Sequence, residues 1–570
     1  MYNLHQEHHF EFAICNHLGA NGWFYAEGDT AHYDRQNALY LPDLLAWIET
    51  TQPESWQQLS KTHGAGLPKV LAERVRKCLN EQGTLEVLRR GVEMVGLKKP
   101  LALVQFKPAL AINPSIQQHY AANRLRVVRQ VRHSLNNAKD ALDLVLFVNG
   151  LAVATAELKS DFTQSVGDAV DQYRFDRDPT PKGGLVEPLL SFPGGALVHF
   201  AVSQSEVMMS TRLAGTATRF LPFNRGNAGG AGNAPNPFGF ATWYLWEEVW
   251  ARDSWLEILG RYLIGQRNDK KQLTGVIFPR YHQLDATRKM VADMLENGAG
   301  QRYLIQHSAG SGKTNSIAWT AHFLADLHGA DKQKVFDSVL VVSDRNVLDA
   351  QLQEAIFDFQ RTTGVVATID DEHGSKSTQL SQALKDGKKI IVCTIQTFPF
   401  ALKAVQELSA TEGKRFAVIA DEAHSSQTGA AAAKPEQPGR AHHGGEAAAG
   451  RHHHVGPMLR GQRHVGRGLR LGGGHGVAAG AAQGWQHVVG DPALEALGLG
   501  LAAGEGEAVE AGFVHGQNGA GLCGPGVVND DGRSLILIKA VDRVPVVRDA
   551  KGLAHVEGDE PRQAGLILDH

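Results

Sequence analysis

The chain runs to 570 residues, more than one hydrophobic core ordinarily serves, and length alone predicts roughly three domains at about 150 residues each. A formal net charge of −3 excludes a globally basic protein, so any contact with nucleic acid has to be local. Four widely spaced cysteines with no CxxC pair argue against a disulfide framework and a zinc ribbon, and the absence of any run of about 18 apolar residues or a leader-like start reads as cytoplasmic, with no membrane partner.

Residues 1–223 predict an α/β domain: an amphipathic first helix near HFEFAICNHL, then β-rich runs LALVQF (101–106), ALDLVLFV (141–148) and LAVATAEL (151–158). Asp143 in the second run and Glu157-Leu158-Lys159 in the third form a D-x13-E-x-K pattern. Two carboxylates so placed can bind Mg²⁺, and the cation with an adjacent lysine lowers the pKa of an attacking water and screens phosphate charge. Asp143, Glu157 and Lys159 are therefore catalytic candidates, the two acids also being metal ligands. Glu157 and Lys159, two apart on a strand, face the same side.

Asn149-Gly150 between the runs is a strong hairpin signal. A strict two-residue loop would pair position 143 with 156 and leave Asp143 and Glu157 on opposite faces, so the site demands an odd loop or a bulge. A type I turn ending in a left-handed Gly150 with a G1 bulge is the expected solution. Glu11 on the first helix is a candidate third carboxylate, against the ordinary alternative of an exposed helix glutamate.

NRGNAGGAGNAPNPFG (224–239) has the turn formers of a connector and little to bury, and marks a boundary. From 240 to 429 helices alternate with apolar strands, RYLIQH (302–307), VLVVS (339–343), KIIVCT (389–394) and FAVIA (416–420), the pattern of a parallel sheet covered on both faces. Between the first strand and the next helix lies GSGKT (310–314). Gly310 and Gly312 free the backbone around Ser311 to turn N–H groups toward phosphate oxygens at a helix N-terminus. Lys313 is placed for the β- and γ-phosphates of ATP, and Thr314 for Mg²⁺. The strict spacing asks for Gly where this chain has His307. FAVIA then delivers DEAH (421–424), with Asp421 as a Mg²⁺ ligand and Glu422 as a water-polarising carboxylate. Two such motifs in order outweigh a Gly-rich turn with an incidental lysine.

From about 430 the composition turns abruptly to Gly, Ala and His, with Trp485 and Phe513 its only aromatics, and little stable tertiary structure is expected over 430–570. The His pairs and triplet there (442–443, 452–454) read as low complexity rather than a metal set, and GQRHVGRGLR (461–470) only superficially resembles an arginine-finger motif. The break predicts translation from another reading frame and a truncated motor.

These motifs resemble known families. D-x13-ExK on a hairpin resembles PD-(D/E)xK nucleases, which carry a Gln and a Tyr on the next helix; here AVDQYR (169–174) puts Ala169 at the usual Gln position, with Gln172 directly before Tyr173. GSGKT with DEAH resembles the first RecA-like lobe of superfamily 2 helicases, which implies that Gln283 reads adenine and that VSDRNVLDAQL (342–352) and TIQTF (394–398) touch the DNA backbone. With NGW (21–23), YDR (33–35), TQPESW (51–56) and YLWEEVW (244–250), the order over 1–429 is similar to the restriction subunit of type I restriction–modification enzymes. That resemblance implies ATP-driven translocation and Mg²⁺-dependent cutting of double-stranded DNA. It also implies partner modification and specificity subunits, with S-adenosylmethionine bound on the modification partner. The alternative is a catalytically impaired ATP- and DNA-binding module.

Overall fold

The computed structural model describes residues 7–108, 110, 112–162, 164–308, 310–343, 350–358, 365–369, 374–394, 414–421, 533–541 and 565–569. Two mixed α/β regions follow one another, each built on its own sheet.

The first sheet is centred on a hairpin. Its strands are β1 (Leu125–Arg132), β2 (Ala141–Val148), β3 (Leu151–Lys159), β4 (Val198–Ser203) and β5 (Val207–Ser210). They lie side by side in that order, antiparallel except for the parallel pair β3 and β4. Every residue of β3 is buried, as its unbroken apolar run demands of a strand covered on both faces. One cover includes helix α1 (Glu7–Ala20) and the helices Leu41–Thr51 and Leu67–Gln82; the other includes α2 (Val166–Asp171) and Tyr173. A reciprocal Ser165–Asp168 capping box starts α2.

Residues 224–239, expected to be a connector, are folded into turns. Gly226 N–H donates to Gly232 O at 2.8 Å, and Asn233 Nδ2 reaches Ser205 O at 2.8 Å. The core beneath the first sheet continues across this stretch: Phe10, Phe200, Trp250, Trp255, Tyr262, Trp319 and Phe323 belong to a single cluster of buried side chains. Two indoles anchor it at both ends, Trp23 Nε1–H donating to Trp250 O at 2.9 Å and Trp319 Nε1–H to Tyr262 O at 2.8 Å.

The second region contains α3 (Tyr281–Asn297), β6 (Arg302–Ser308), α4 (Lys313–Ala325), β7 (Ser338–Ser343), β8 (Val366–Thr368), β9 (Ile390–Thr394) and β10 (Phe416–Asp421). Strands β9, β7 and β10 pair in parallel, as their apolar runs predict, and the short β8, which no apolar run announced, joins them in parallel at the edge beside β9. The sheet is not wholly parallel, however. A strand β11 (Arg533–Val541) lies between β10 and β6, antiparallel to both, and β12 (Gly565–Asp569) pairs in parallel with the far edge of β6. This also corrects the expectation of little tertiary structure beyond 430 for these two segments. SLILIKAV and GLILD are short apolar runs that open sheet edges can recruit through backbone hydrogen bonds alone. The remaining tail motifs, including GQRHVGRGLR and the histidine clusters, lie outside the described residues. Among the described residues no helix is long and apolar enough to cross a membrane.

Candidate functional site

The parity problem in the hairpin is solved inside the strands rather than at the turn. Val148 pairs directly with Leu151, leaving a two-residue loop in which Asn149 (φ 49°) and Gly150 (φ 83°) are both left-handed. That is the sense of a type I′ turn, not the expected type I turn with a G1 bulge. Gly is required at 150, where a Cβ would stand 2.5 Å from Tyr40 O. The extra residue enters instead opposite the step from Leu146 to Phe147, where the register shifts and Val153 is left without a counterpart on β2. Beyond this bulge Leu144 faces Ala156, and Asp143 and Glu157 converge on one side.

Their environments differ. Glu157 is completely buried. Its Oε1 accepts from Arg177 Nε at 2.7 Å, whereas Oε2 has no hydrogen-bond partner. Burial, followed by the nearby Asp143 carboxylate, pushes the Glu157 pKa well above the usual carboxyl value, with Arg177 opposing the rise. Asp143 is partly exposed, its Oδ2 accepting from Leu158 N at 2.8 Å and its Oδ1 from Gln130 Nε2 at 3.2 Å. Lys159 ends β3, two residues beyond Glu157. Its charge is felt at Asp168, which is held below the ordinary range first by hydrogen bonds from Ser165 and to a smaller extent by Lys159.

Arg177 was not legible as a site residue. Besides Glu157 it donates to Ala141 O at 2.7 Å, clasping the start of β2 to the end of β3. Its field reaches His133, pushed down to about 4 by burial first and by Arg177 second. Glu11 is buried and paired with Arg129 at 2.9 Å, and Gln130 Nε2 also reaches it at 3.3 Å. Tyr173 is a support: its hydroxyl meets Thr155 Oγ1 at 2.7 Å, and Thr155 meets His199 Nδ1 at 2.8 Å on the face of β3 that carries Glu157. Burial drives His199 down to about 3, so this network is neutral. Gln172 Oε1 is buried without a partner.

The second set of candidates gathers where β6 meets α4. Gly310 (φ 73°) and Gly312 (φ 90°) adopt conformations that glycine takes freely, and Gly312 caps α4, whose first turn holds Lys313 and Thr314. Lys313 Nζ lies 2.8 Å from Asp421 Oδ1 at the end of β10. Strands β6 and β10 are not neighbours, because β11 separates them by two inter-strand spacings, about 9.6 Å. The long Lys313 side chain at the start of α4 and the short Asp421 side chain at the end of β10 bridge that gap. His307, the departure from the strict spacing, is buried, and its Nδ1 lies 3.0 Å from Ser311 Oγ, so it braces the loop from within the strand. Gln283 lies against the same loop. Its Nε2 donates to Gly312 O at 2.9 Å and Ser311 O at 3.2 Å while its Oε1 accepts from Arg280 N at 2.9 Å, so the amide braces the loop backbone. Glu422 lies outside the described residues, as do most of 342–352 and all of TIQTF after Thr394.

Residues 7–218 match the family described as the type I restriction enzyme R protein N terminus, and residues 282–438 match the SWI2/SNF2 ATPase family. The chain belongs to the R proteins of type I restriction enzymes. The first match contains Asp143, Glu157, Lys159 and Arg177; the second contains Gln283, GSGKT and DEAH. This R protein thus has a restriction-enzyme role and carries a helicase-like ATPase region beside its family-specific amino-terminal region. No individual curated protein matches it.

Proposed function

We propose that the chain is the subunit that cuts and moves DNA in a type I restriction enzyme, with a PD-(D/E)xK nuclease centre at Asp143, Glu157 and Lys159 and a RecA-like ATP-binding lobe over about 240–429. The observation that carries the reading is the bulge-corrected convergence of Asp143 and Glu157, with a buried carboxylate oxygen left unpaired at the point of convergence. A bulge that restores the facing of two acids is a device, since bulges re-aim side chains beside active sites.

The donors are all carboxylate oxygens, which suits a hard cation such as Mg²⁺ held by Asp143 and Glu157. When bound, Mg²⁺ supplies Lewis-acid polarisation of a phosphate oxygen and activation of water. Lys159 adds a positive charge to offset the charge that builds on phosphate. Arg177 holds Glu157 in place without occupying its second oxygen. In the ATPase region, the Gly310–Gly312 loop and the N-terminus of α4 would hold the phosphates of ATP, Lys313 would offset their charge, Thr314 and Asp421 would hold the cation, and Glu422, placed by sequence, would orient water. Gln283 fixes the loop backbone in the shape these contacts need. The partners are double-stranded DNA and the modification and specificity subunits, the former of which binds S-adenosylmethionine; the compartment is the cytoplasm.

The test is cleavage of unmodified double-stranded DNA by the full chain assembled with its modification and specificity subunits, with ATP and Mg²⁺. Cutting is expected, and Asp143→Ala and Lys159→Ala should each lower it by about 10²–10⁴-fold while nucleotide binding persists. Nucleotide and DNA binding without cutting would instead identify a non-catalytic module.

A further inference from the structure

Gln130 belongs to no motif, and its backbone is out of place. It lies in β1 opposite Asp143, between the register pairs Arg129–Leu144 and Val131–Leu142, but its own pairing is interrupted and its φ is 50°. A non-glycine residue rarely takes that left-handed conformation, and within a strand it persists only where the surroundings compel it. Burial does not compel it here, because Gln130 is exposed. What the conformation secures is a pair of hydrogen bonds from a single amide nitrogen, to Asp143 Oδ1 at 3.2 Å and Glu11 Oε1 at 3.3 Å.

These bonds join a longer chain of contacts. Arg129 holds Glu11, Glu11 holds the Gln130 amide, and that amide sets one oxygen of Asp143 while Leu158 N–H sets the other. Three carboxylates, Glu11, Asp143 and Glu157, thus stand in series with Arg129 at one end and Arg177 at the other. A neutral amide suits the first gap. A lysine there would compete with a cation for Asp143, and an acid would add a further negative charge.

We propose that Gln130 is a positioning residue of the carboxylate centre: anchored by Glu11, it fixes the orientation of the Asp143 carboxylate for a divalent cation. The inference rests on the nuclease reading given above. Partners that orient a metal ligand typically change affinity or activity by about 10–100-fold when removed. Two variants separate this role from the backbone strain. Gln130→Gly removes the amide and also relieves the left-handed backbone; Gln130→Asn keeps an amide and tolerates that backbone but is one methylene shorter.

The experiment is Mn²⁺ titration of the full chain by electron paramagnetic resonance, counting the sites lost in Asp143→Ala, alongside thermal unfolding and the Mg²⁺ dependence of DNA cutting by the assembled complex. Gln130→Gly is expected to unfold no earlier than the unaltered chain, to bind Mn²⁺ at that site about 10–100-fold more weakly and to need correspondingly more Mg²⁺ for half-maximal cutting, with the maximal rate recovered at saturation. Gln130→Asn should fall between the two. Unaltered Mn²⁺ affinity and Mg²⁺ dependence in Gln130→Gly, in a protein where Asp143→Ala abolishes both signals, overturns the role of Gln130 and leaves the nuclease reading standing. If Asp143→Ala itself changes neither signal, the nuclease reading fails and this inference goes with it.

Discussion

Replacing Arg177 with methionine would isolate the charge that Glu157 carries into the interior of the first sheet. Methionine keeps an apolar stem of similar length but leaves Glu157 Oε1 and Ala141 O without the N–H groups that reach each of them at 2.7 Å. While Glu157 is protonated, the loss is that of hydrogen bonds, about 1–2 kcal/mol. Once it ionises, the buried carboxylate has lost its arginine, and breaking a buried pair from one side costs about 3–5 kcal/mol. The Glu157 pKa is already raised by burial and Asp143 against the pull of Arg177, so the variant raises it further. A folded-state pKa above the unfolded one means that stability is fully present below the unfolded value, about 4.3, and is lost as pH climbs through the folded value. The unaltered chain should therefore lose some stability with rising pH, and Arg177→Met should lose more. Their difference should widen from about 1–2 kcal/mol at pH 5 toward 3–5 kcal/mol at alkaline pH. Urea unfolding followed by tryptophan fluorescence between pH 5 and 9 measures it, since Trp23, Trp47, Trp250 and Trp255 lie in the adjoining core. A deficit that stays flat or shrinks as pH rises would refute the reasoning and point to lost packing alone.

Gln283→Ala removes two hydrogen bonds to the Ser311 and Gly312 carbonyls, and at about 1 kcal/mol each the affinity for a fluorescent ATP analogue should fall by roughly tenfold or more; an unchanged Kd would reject the loop-holding role. Gly150→Ala forces a Cβ against Tyr40 O and Leu44 at a φ of 83°, and should lower the thermal midpoint by a few degrees, corresponding to about 1–3 kcal/mol; an unchanged midpoint would mean that the turn relaxes freely. Trp319→Ala should cost about 3–5 kcal/mol, and limited proteolysis should then nick sites in the first region as well as the ATPase region, whereas nicking confined to the second would argue against a common core.

Much of the site was legible because its logic is local. D-x13-ExK and the Asn149-Gly150 turn sit within a seventeen-residue stretch, and strand parity alone required a bulge between the two acids. Parity could not say where that bulge falls, since Val153 differs little from its neighbours in sequence. Arg177, twenty residues after Glu157, follows Arg174 with nothing in the sequence to tell the two apart, and it lies just beyond the π-helical turn over Gln172–Asp176. Gln130 was invisible for a different reason: a left-handed glutamine carries no composition signal. For Gln283 the loop-holding contacts were not legible, because the carbonyls that take its amide come from residues 28 and 29 positions away. For β11 and β12, a Gly/Ala-rich context hid two apolar runs short enough to pass for noise, and the edges they join are set by strands more than a hundred residues earlier.

The aromatic cluster running from Phe10 to Phe323 bears on how a motor can act on a nuclease. Two bodies joined by a tether can drift apart and meet by chance, and their coupling is then a matter of effective concentration. Here the first sheet and helix α4 of the second region are packed into one aromatic cluster and behave as a strut. Under the proposed motor function, a load developed at the glycine-rich loop would bear on α4, and through Trp319 and Tyr262 it would reach the same packed side chains that support the floor of the hairpin. Close-packed interiors have low compressibility and transmit strain. The proposed cutting centre would then ride at a fixed distance from the proposed nucleotide loop, and the moment of cutting would be set by how DNA is fed to it rather than by a hinge between the two.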